Sequence, residues 1–235
     1  MTHHLDKTTI LTMPQGSPDW HRQRLGRITA SRVGTILGHN PYETADELKE
    51  EMLSEMAGHP PSFTGNIFTH HGSISERHAA RRYKSQLPSN MTVSHCGIVV
   101  SHHHPAYAFS PDGILEKAVR DGNGTILKSE PVGLLEIKCL IRKLPDAPDP
   151  VYFDQCQYGM YITGLPYADL YYLHHEQNLY LGDFYGRKTI HSKSYRIEES
   201  GDWRKESLPV LEKWLHELTR EALVRGIELP EWLEK

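Results

Sequence analysis

Apolar positions along the chain fall into two kinds of spacing. From Thr44 to Ala57, Leu48, Met52, Leu53 and Met56 recur at three- and four-residue intervals, which predicts a helix ended by Gly58. Shorter helices are expected over Pro18 to Leu25, opened by Ser17-Pro18-Asp19, and over Ala30 to Leu37, capped by Thr29 and ended by Gly38. Further helices are predicted over Ser73 to Gln86, Val151 to Thr163 and Trp203 to Arg225, with His59 to Thr64 as a loop. Elsewhere the period shortens to that of extended chain: Thr92 to Ser101, Tyr107 to Phe109, Gly113 to Glu116, Val132 to Leu140, Ala168 to His174 and Ser192 to Ile197. Asp121-Gly122-Asn123-Gly124 marks a hairpin turn before Val132 to Leu140. Helices and strands interleave, so the expectation is one α/β domain over residues 1–235, a mixed central sheet flanked by helices. Residues 1–14 are read as an N-terminal arm and 201–235 as a C-terminal helical segment packed on the domain.

Composition narrows the class without naming a chemistry. The 235 residues are 38% hydrophobic and 24% charged, as in ordinary globular proteins, and no apolar run is long enough for a membrane span. The N-terminus lacks the apolar core of a signal peptide, and Cys96, Cys139 and Cys156 fit neither a disulfide framework nor a paired zinc motif. An intracellular, reducing location such as a host cytoplasm is expected, not secretion. The net charge of −4 disfavours a protein that simply coats nucleic acid. Local basic clusters nevertheless exist: Arg22, Arg24, Arg27 and Arg32; Arg77, Arg81, Arg82 and Lys84; Arg142 and Lys143. Each fits either phosphate contact or a solvated helix face.

The most informative residues are Ser110-Pro111-Asp112-Gly113 and, 24 residues after Asp112, Glu136-Ile137-Lys138. In a strand, positions two apart share a face, so Glu136 and Lys138 point the same way. A carboxylate at a turn, with a carboxylate and an ammonium on one strand face, supplies two hard oxygen ligands for a divalent cation and a positive charge beside them. Such a set suits phosphodiester hydrolysis.

Asp112 followed by Glu136 and Lys138 resembles the core of the PD-(D/E)XK nuclease superfamily, and further blocks resemble its branch containing phage lambda exonuclease and the YqaJ-type viral recombinases. Gln15 to Gly26 with Ile28-Thr29-Ala30-Ser31 is similar to the N-terminal signature of that branch, Gly72-Ser73-Ile74-Ser75-Glu76 to its G-x-x-x-E helix, and Gln155-Cys156-Gln157-Tyr158 to its Q-x-x-Y helix. The resemblance implies a restriction-endonuclease-like fold. It implies that Asp112, Glu136 and the main-chain carbonyl of Ile137 bind catalytic magnesium, or manganese in its place, and that Lys138 serves the attacking water. Glu76 would lie near the metal, and Gln155 would orient Lys138 or the nucleophile. Arg24 with Ser31 would take the 5′-terminal phosphate, and Ser110 would sit at the scissile site. The Q-x-x-Y spacing selects Gln155 over Gln157, leaving Asp154 without a role.

The implied activity is a metal-dependent 5′-to-3′ exonuclease acting on double-stranded DNA ends and leaving 3′ single strands for recombination. Implied partners are a single-strand annealing protein and two further copies of the chain in a homotrimer ring, with no membrane. The same core would also serve an endonuclease or flap nuclease. A non-catalytic DNA-binding module is the remaining reading, and the intact Asp112, Glu136 and Lys138 argue against it. Three consecutive histidines, His102 to His104, alternate faces in extended chain and so cannot all converge on one zinc ion. Tyr152, Phe153, Tyr158 and Tyr161 have helical spacing and are expected in the core rather than against unpaired bases.

Overall fold

The computed structural model of the protein describes residue 5 and residues 8–59, 67–140, 143–175 and 190–234. The expected loop over 60–64 and Arg142 lie outside these. In chain order the first elements are β1 (Thr8–Leu11), α1 (Pro18–Arg24), β2 (Ile28–Thr29), α2 (Ala30–Ile36), α3 (Ala45–Met56) and α4 (Ile67–Ser85). They are followed by β3 (Met91–Ser94), β4 (Ile98–Ser101), β5 (Tyr107–Phe109), β6 (Gly113–Arg120) and β7 (Ile126–Leu140). Last come α5 (Pro150–Thr163), β8 (Tyr167–His175), β9 (Ile190–Glu198) and α6 (Gly201–Val224).

Local chemistry explains most of the boundaries. Ser17 caps α1 by accepting from Trp20 N at 3.2 Å, and Pro18 stands in the first turn. Thr44 and Glu47 form a reciprocal capping box on α3. Asp149 caps α5, which ends at Gly164 in the left-handed conformation at φ 70°. Two of the expectations that change concern the first sheet. Thr92 to Ser101 is two strands in different sheets, parted where Gly97 passes so close to the Leu11 carbonyl that a Cβ would collide with it. Part of the expected N-terminal arm is β1, paired antiparallel with β4.

The strands form a four-stranded sheet, β1-β4-β5-β2, and a five-stranded sheet, β3-β6-β7-β8-β9. In the first, β2 lies parallel to β5; in the second, β7 and β8 are the parallel pair and the other pairs are antiparallel. Side chains alternate across β7. Leu134 joins the main core with Tyr158 and Met160 of α5, whereas Leu135 and Ile137 pack with Ala79 and Tyr83 of α4. The five-stranded sheet thus has α5 on one face and α4 on the other. Helix α5 also lies tight on β5: a Cβ on Gly159 would stand 2.6 Å from the Phe109 ring. Trp203, Leu211, Trp214 and Leu218 bring α6 into the main core.

Candidate active site

The site begins where two strands part. Strands β6 and β7 pair up to Gly113 opposite Leu135, and beyond that point β7 continues beside β8 alone. The next main-chain donor on that open edge, Ile137 N, gives its hydrogen to Asp112 Oδ2 at 2.6 Å. Asp112 is held at the fork by the bond a neighbouring strand would otherwise have made. On the α5 face, Lys138 Nζ donates to Glu136 Oε1 at 2.7 Å and to Gln155 Oε1 at 3.2 Å. Gln155 Nε2 donates to the same Glu136 Oε1 at 2.6 Å. This closed triangle explains why Gln155 rather than Gln157 faces the site, since the Gln157 amide bonds Glu198 O and Ser200 N instead. The Lys138 ammonium also lies 4.5 Å from the centre of the Tyr152 ring.

Electrostatically the site is short of positive charge. Burial, then Asp112, push the Glu136 carboxyl up to about 8, against the pull of Lys138. Burial also raises Asp112, and burial together with Asp112 raises Glu76. Lys138 is held protonated by Glu136 and Asp112 in spite of its own burial. Glu136 Oε2 is buried with no hydrogen-bond partner, as is Ser110 Oγ. A buried carboxylate oxygen without a partner is costly, and a hard cation is one group that would satisfy it. Among the described residues no three His, Cys, Asp or Glu side chains form a metal cluster. The oxygen set that could hold an ion is Asp112, Glu136 and the Ile137 carbonyl. On the α4 face a cleft of about 490 Å³ opens, with Glu76, Asp112 and Ile137 in its lining beside Arg77, Arg81 and Lys84 of α4 and His95 after β3.

A second polar group lies where β2 and β5 of the four-stranded sheet end, β5 being the strand that leads through Ser110 and Pro111 to Asp112. The parallel register pairs Thr29 with Ala108, so Ser31 and Ser110, each two residues further on, leave β2 and β5 in the same direction. Arg24 Nη2 donates to Thr29 Oγ1 and to Ser31 Oγ, both at 3.1 Å, with its guanidinium 4.2 Å from the Trp20 ring centre. Thr29 occupies the cap position of α2, yet its hydroxyl makes no capping bond. Burial, and after it the neighbouring Arg32, lower Arg24 to about 10. The other arginines of this cluster differ in role. Arg27 is buried, donates to Pro105 O and stacks on Trp232, and Arg32 pairs with Glu55 at 2.8 Å. Those two hold the fold together.

Residues 19–166 match the YqaJ-like viral recombinase domain. The chain belongs to that family. Every residue of the fork and of the Arg24 group falls inside the matched span of this YqaJ-like domain, whereas β8, β9 and α6 follow it. An uncharacterized protein of Acanthamoeba polyphaga mimivirus is 29% identical over 163 residues, 66% of this chain; the chain spans only 28% of that relative's length. In three dimensions the protein is similar to the alkaline exonuclease LHK-Exo of Laribacter hongkongensis, with a TM-score of 0.64 and 22% identity, covering 89% of this chain and 96% of that one. LHK-Exo in complex with dAMP gives a TM-score of 0.63 at 23% identity, covering 88% and 95%. The fold is therefore that of an alkaline exonuclease.

The YqaJ-like site includes residues that sequence reading passes over. Tyr152, expected in the core, lies against Lys138; its position three before Gln155 puts both on one helix face, so the signal was present. Thr29, expected to cap α2, instead accepts from Arg24. His95 is in the cleft lining, and nothing in its neighbours' spacing points there. Asp154 beside Gln155 faces away from the site: Trp203 Nε1 donates to its Oδ1 at 2.8 Å, and His39 Nδ1 lies 2.6 Å from its Oδ2. Its role is to tie α5 to α6 and to the segment after α2.

Proposed function

We propose that the protein is a metal-dependent double-strand DNA exonuclease that works from the 5′ end and leaves a 3′ single strand for recombination. The observation that carries the reading is the fork itself. Asp112 and Glu136 converge there with Lys138, Gln155 locks the lysine, and a buried oxygen of Glu136 is left without a partner. Magnesium or manganese held by Asp112, Glu136 and the Ile137 carbonyl would polarise the phosphoryl oxygen and acidify a water. The remaining work falls to the chain's own side chains. Lys138, kept charged and fixed by Glu136 and Gln155, orients the attacking water and offsets negative charge as it builds on the phosphorus. Glu76 adds acidic charge beside Asp112, and Ser110 Oγ offers a hydrogen-bond donor at the end of β5. Arg24, bridged to Thr29 and Ser31, presents a guanidinium suited to a terminal phosphate.

The polarity of attack rests on the Arg24 group, which sits beside β5, the strand whose exit through Ser110 and Pro111 leads to Asp112. An endonuclease would use the same fork without needing an end. Magnesium-dependent digestion of linear and covalently closed circular duplex separates them: the exonuclease consumes linear DNA and leaves the circle intact, and cutting of the circle at a comparable rate overturns the end-dependent reading. Activity that persists in excess chelator overturns the oxygen-ligand site. A single-strand annealing partner and a ring of three copies belong to the same proposal, and size measurement in solution tests the ring.

A further inference from the structure

Helix α4 carries a row of cations that the hydrolytic site does not use. Arg77, Arg81 and Lys84 recur at four- and three-residue steps, so they stand on one helix face; all three are exposed, and all three line the cleft that also holds Glu76 and Asp112. Several other surface cations sit beside acids: Lys128 by Glu130, Lys205 by Asp202, Lys213 by Glu217, Arg225 by Glu50 and Glu221. Among the described residues, none of the three α4 cations has an ion-pair partner. On a protein of net charge −4, a row of unpaired cations beside a carboxylate fork is the arrangement a polyanion would fill. The row is rigidly mounted. Tyr83, between Arg81 and Lys84, donates to Asp169 Oδ2 at 2.6 Å, and Arg196 donates to both Asp169 oxygens, which fastens α4 to β8 and β9.

Seven residue steps of helix rise about 10 Å, and one strand of a duplex advances about 3.4 Å along the duplex axis per phosphate, so a row lying along that axis spans roughly three phosphates. The Arg24 group lies beside β5, whereas α4 lies on the five-stranded sheet, and Asp112 is in the connection from β5 to β6. The Asp112 arm of the fork is thus the link from the sheet that carries the Arg24 group to the sheet that carries α4. We propose that Arg77, Arg81 and Lys84 form a backbone track for the cleaved strand on the 3′ side of the scissile phosphate, holding about three consecutive phosphates without reading sequence. The inference rests on the nuclease reading for which strand occupies the track.

The test is a binding cycle, measured by fluorescence anisotropy in chelator so that no turnover occurs, on a short 5′-phosphorylated duplex. The probes carry neutral methylphosphonates in place of about three consecutive phosphates starting one linkage 3′ of the scissile phosphate of one strand, which itself stays charged, or on the complementary strand opposite. The proteins are the unmutated chain and the variant Arg77→Ala/Arg81→Ala/Lys84→Ala. Neutralising the 5′-ended strand should weaken the unmutated protein about tenfold or more and leave the variant nearly unaffected, while log K against log salt becomes shallower by roughly 2 to 3 in the variant. Coupling to the complementary strand instead overturns the strand assignment, and equal losses in both proteins overturn the track. Because the methylphosphonate arm uses the unmutated protein, the test does not depend on the variant folding. Magnesium-dependent hydrolysis is assayed separately: coupling without hydrolysis removes the nuclease reading and leaves the track, whereas hydrolysis without coupling removes the track alone.

Discussion

At Glu136 one carboxylate oxygen accepts from both Lys138 and Gln155, and the other is buried without a partner. The two oxygens give two separable predictions. Lys138→Ala is predicted to lower the hydrolysis rate by about 100- to 1000-fold while duplex binding survives, because the carboxylates that assemble cation and substrate remain; single-turnover rates and binding isotherms check this, and near-normal turnover would remove the lysine from the mechanism. The second concerns pH. The fold raises the Glu136 carboxyl from 4.5 to about 8, so between those values the folded chain keeps a proton that the unfolded chain has already lost. Stability of the metal-free protein therefore falls as pH rises through that window. We predict that Tm in chelator drops from the lower to the upper end of the window, that magnesium raises Tm most at the upper end, where protons compete least for the site, and that Glu136→Gln flattens both trends. The same slope in Glu136→Gln as in the unmutated protein would assign it to other groups, among them the 16 histidines.

Among the elements, α4 and β7 carry the site, and the bonds that hold them can be removed singly. Asp169 is buried and accepts from Tyr83 and, through both oxygens, from Arg196, whose side chain is half exposed. Asp169→Ala is predicted to cost on the order of 2 kcal/mol in chemical denaturation, less than a fully buried pair because water reaches the arginine; no measurable loss would show that α4 is held by its apolar contacts alone. The elements that were legible in the sequence are those with a long period or a cap: α3 with its Thr44–Glu47 box, α5 between Asp149 and Gly164, and α6. Those that were not depend on contacts distant in sequence. Two residues of β2 have no period to read and exist through β5, and the break between β3 and β4 is forced by the approach of Leu11 to Gly97. Helix α4 begins six residues earlier than its pattern, since Gly72 interrupts the periodicity and costs a helix about 1 kcal/mol without stopping this one.

For the molecule as a whole, a net charge of −4 conceals where the cations stand. Arg27 and Arg32 are consumed in the fold, Lys128, Lys205 and Lys213 sit beside acids, and Arg77, Arg81 and Lys84 line the cleft that holds Asp112. The sequence made the fork itself legible, since Asp112, Glu136, Lys138 and Gln155 carry the motif and the structure brings them together. Which cations face the fork was not legible, because pairing depends on which helices become neighbours. The parallel pairing of β2 with β5 puts the Arg24 group beside the strand that leads to Asp112, and attack from a 5′ end rests on that placement. It is tested most directly by magnesium-dependent degradation of linear duplex bearing either a 5′-phosphate or a 5′-hydroxyl, with the unmutated protein and with Arg24→Ala. The predicted result is faster degradation of the phosphorylated duplex by the unmutated protein and loss of most of that difference in Arg24→Ala. Equal rates on the two ends by the unmutated protein would contradict attack from the 5′ end.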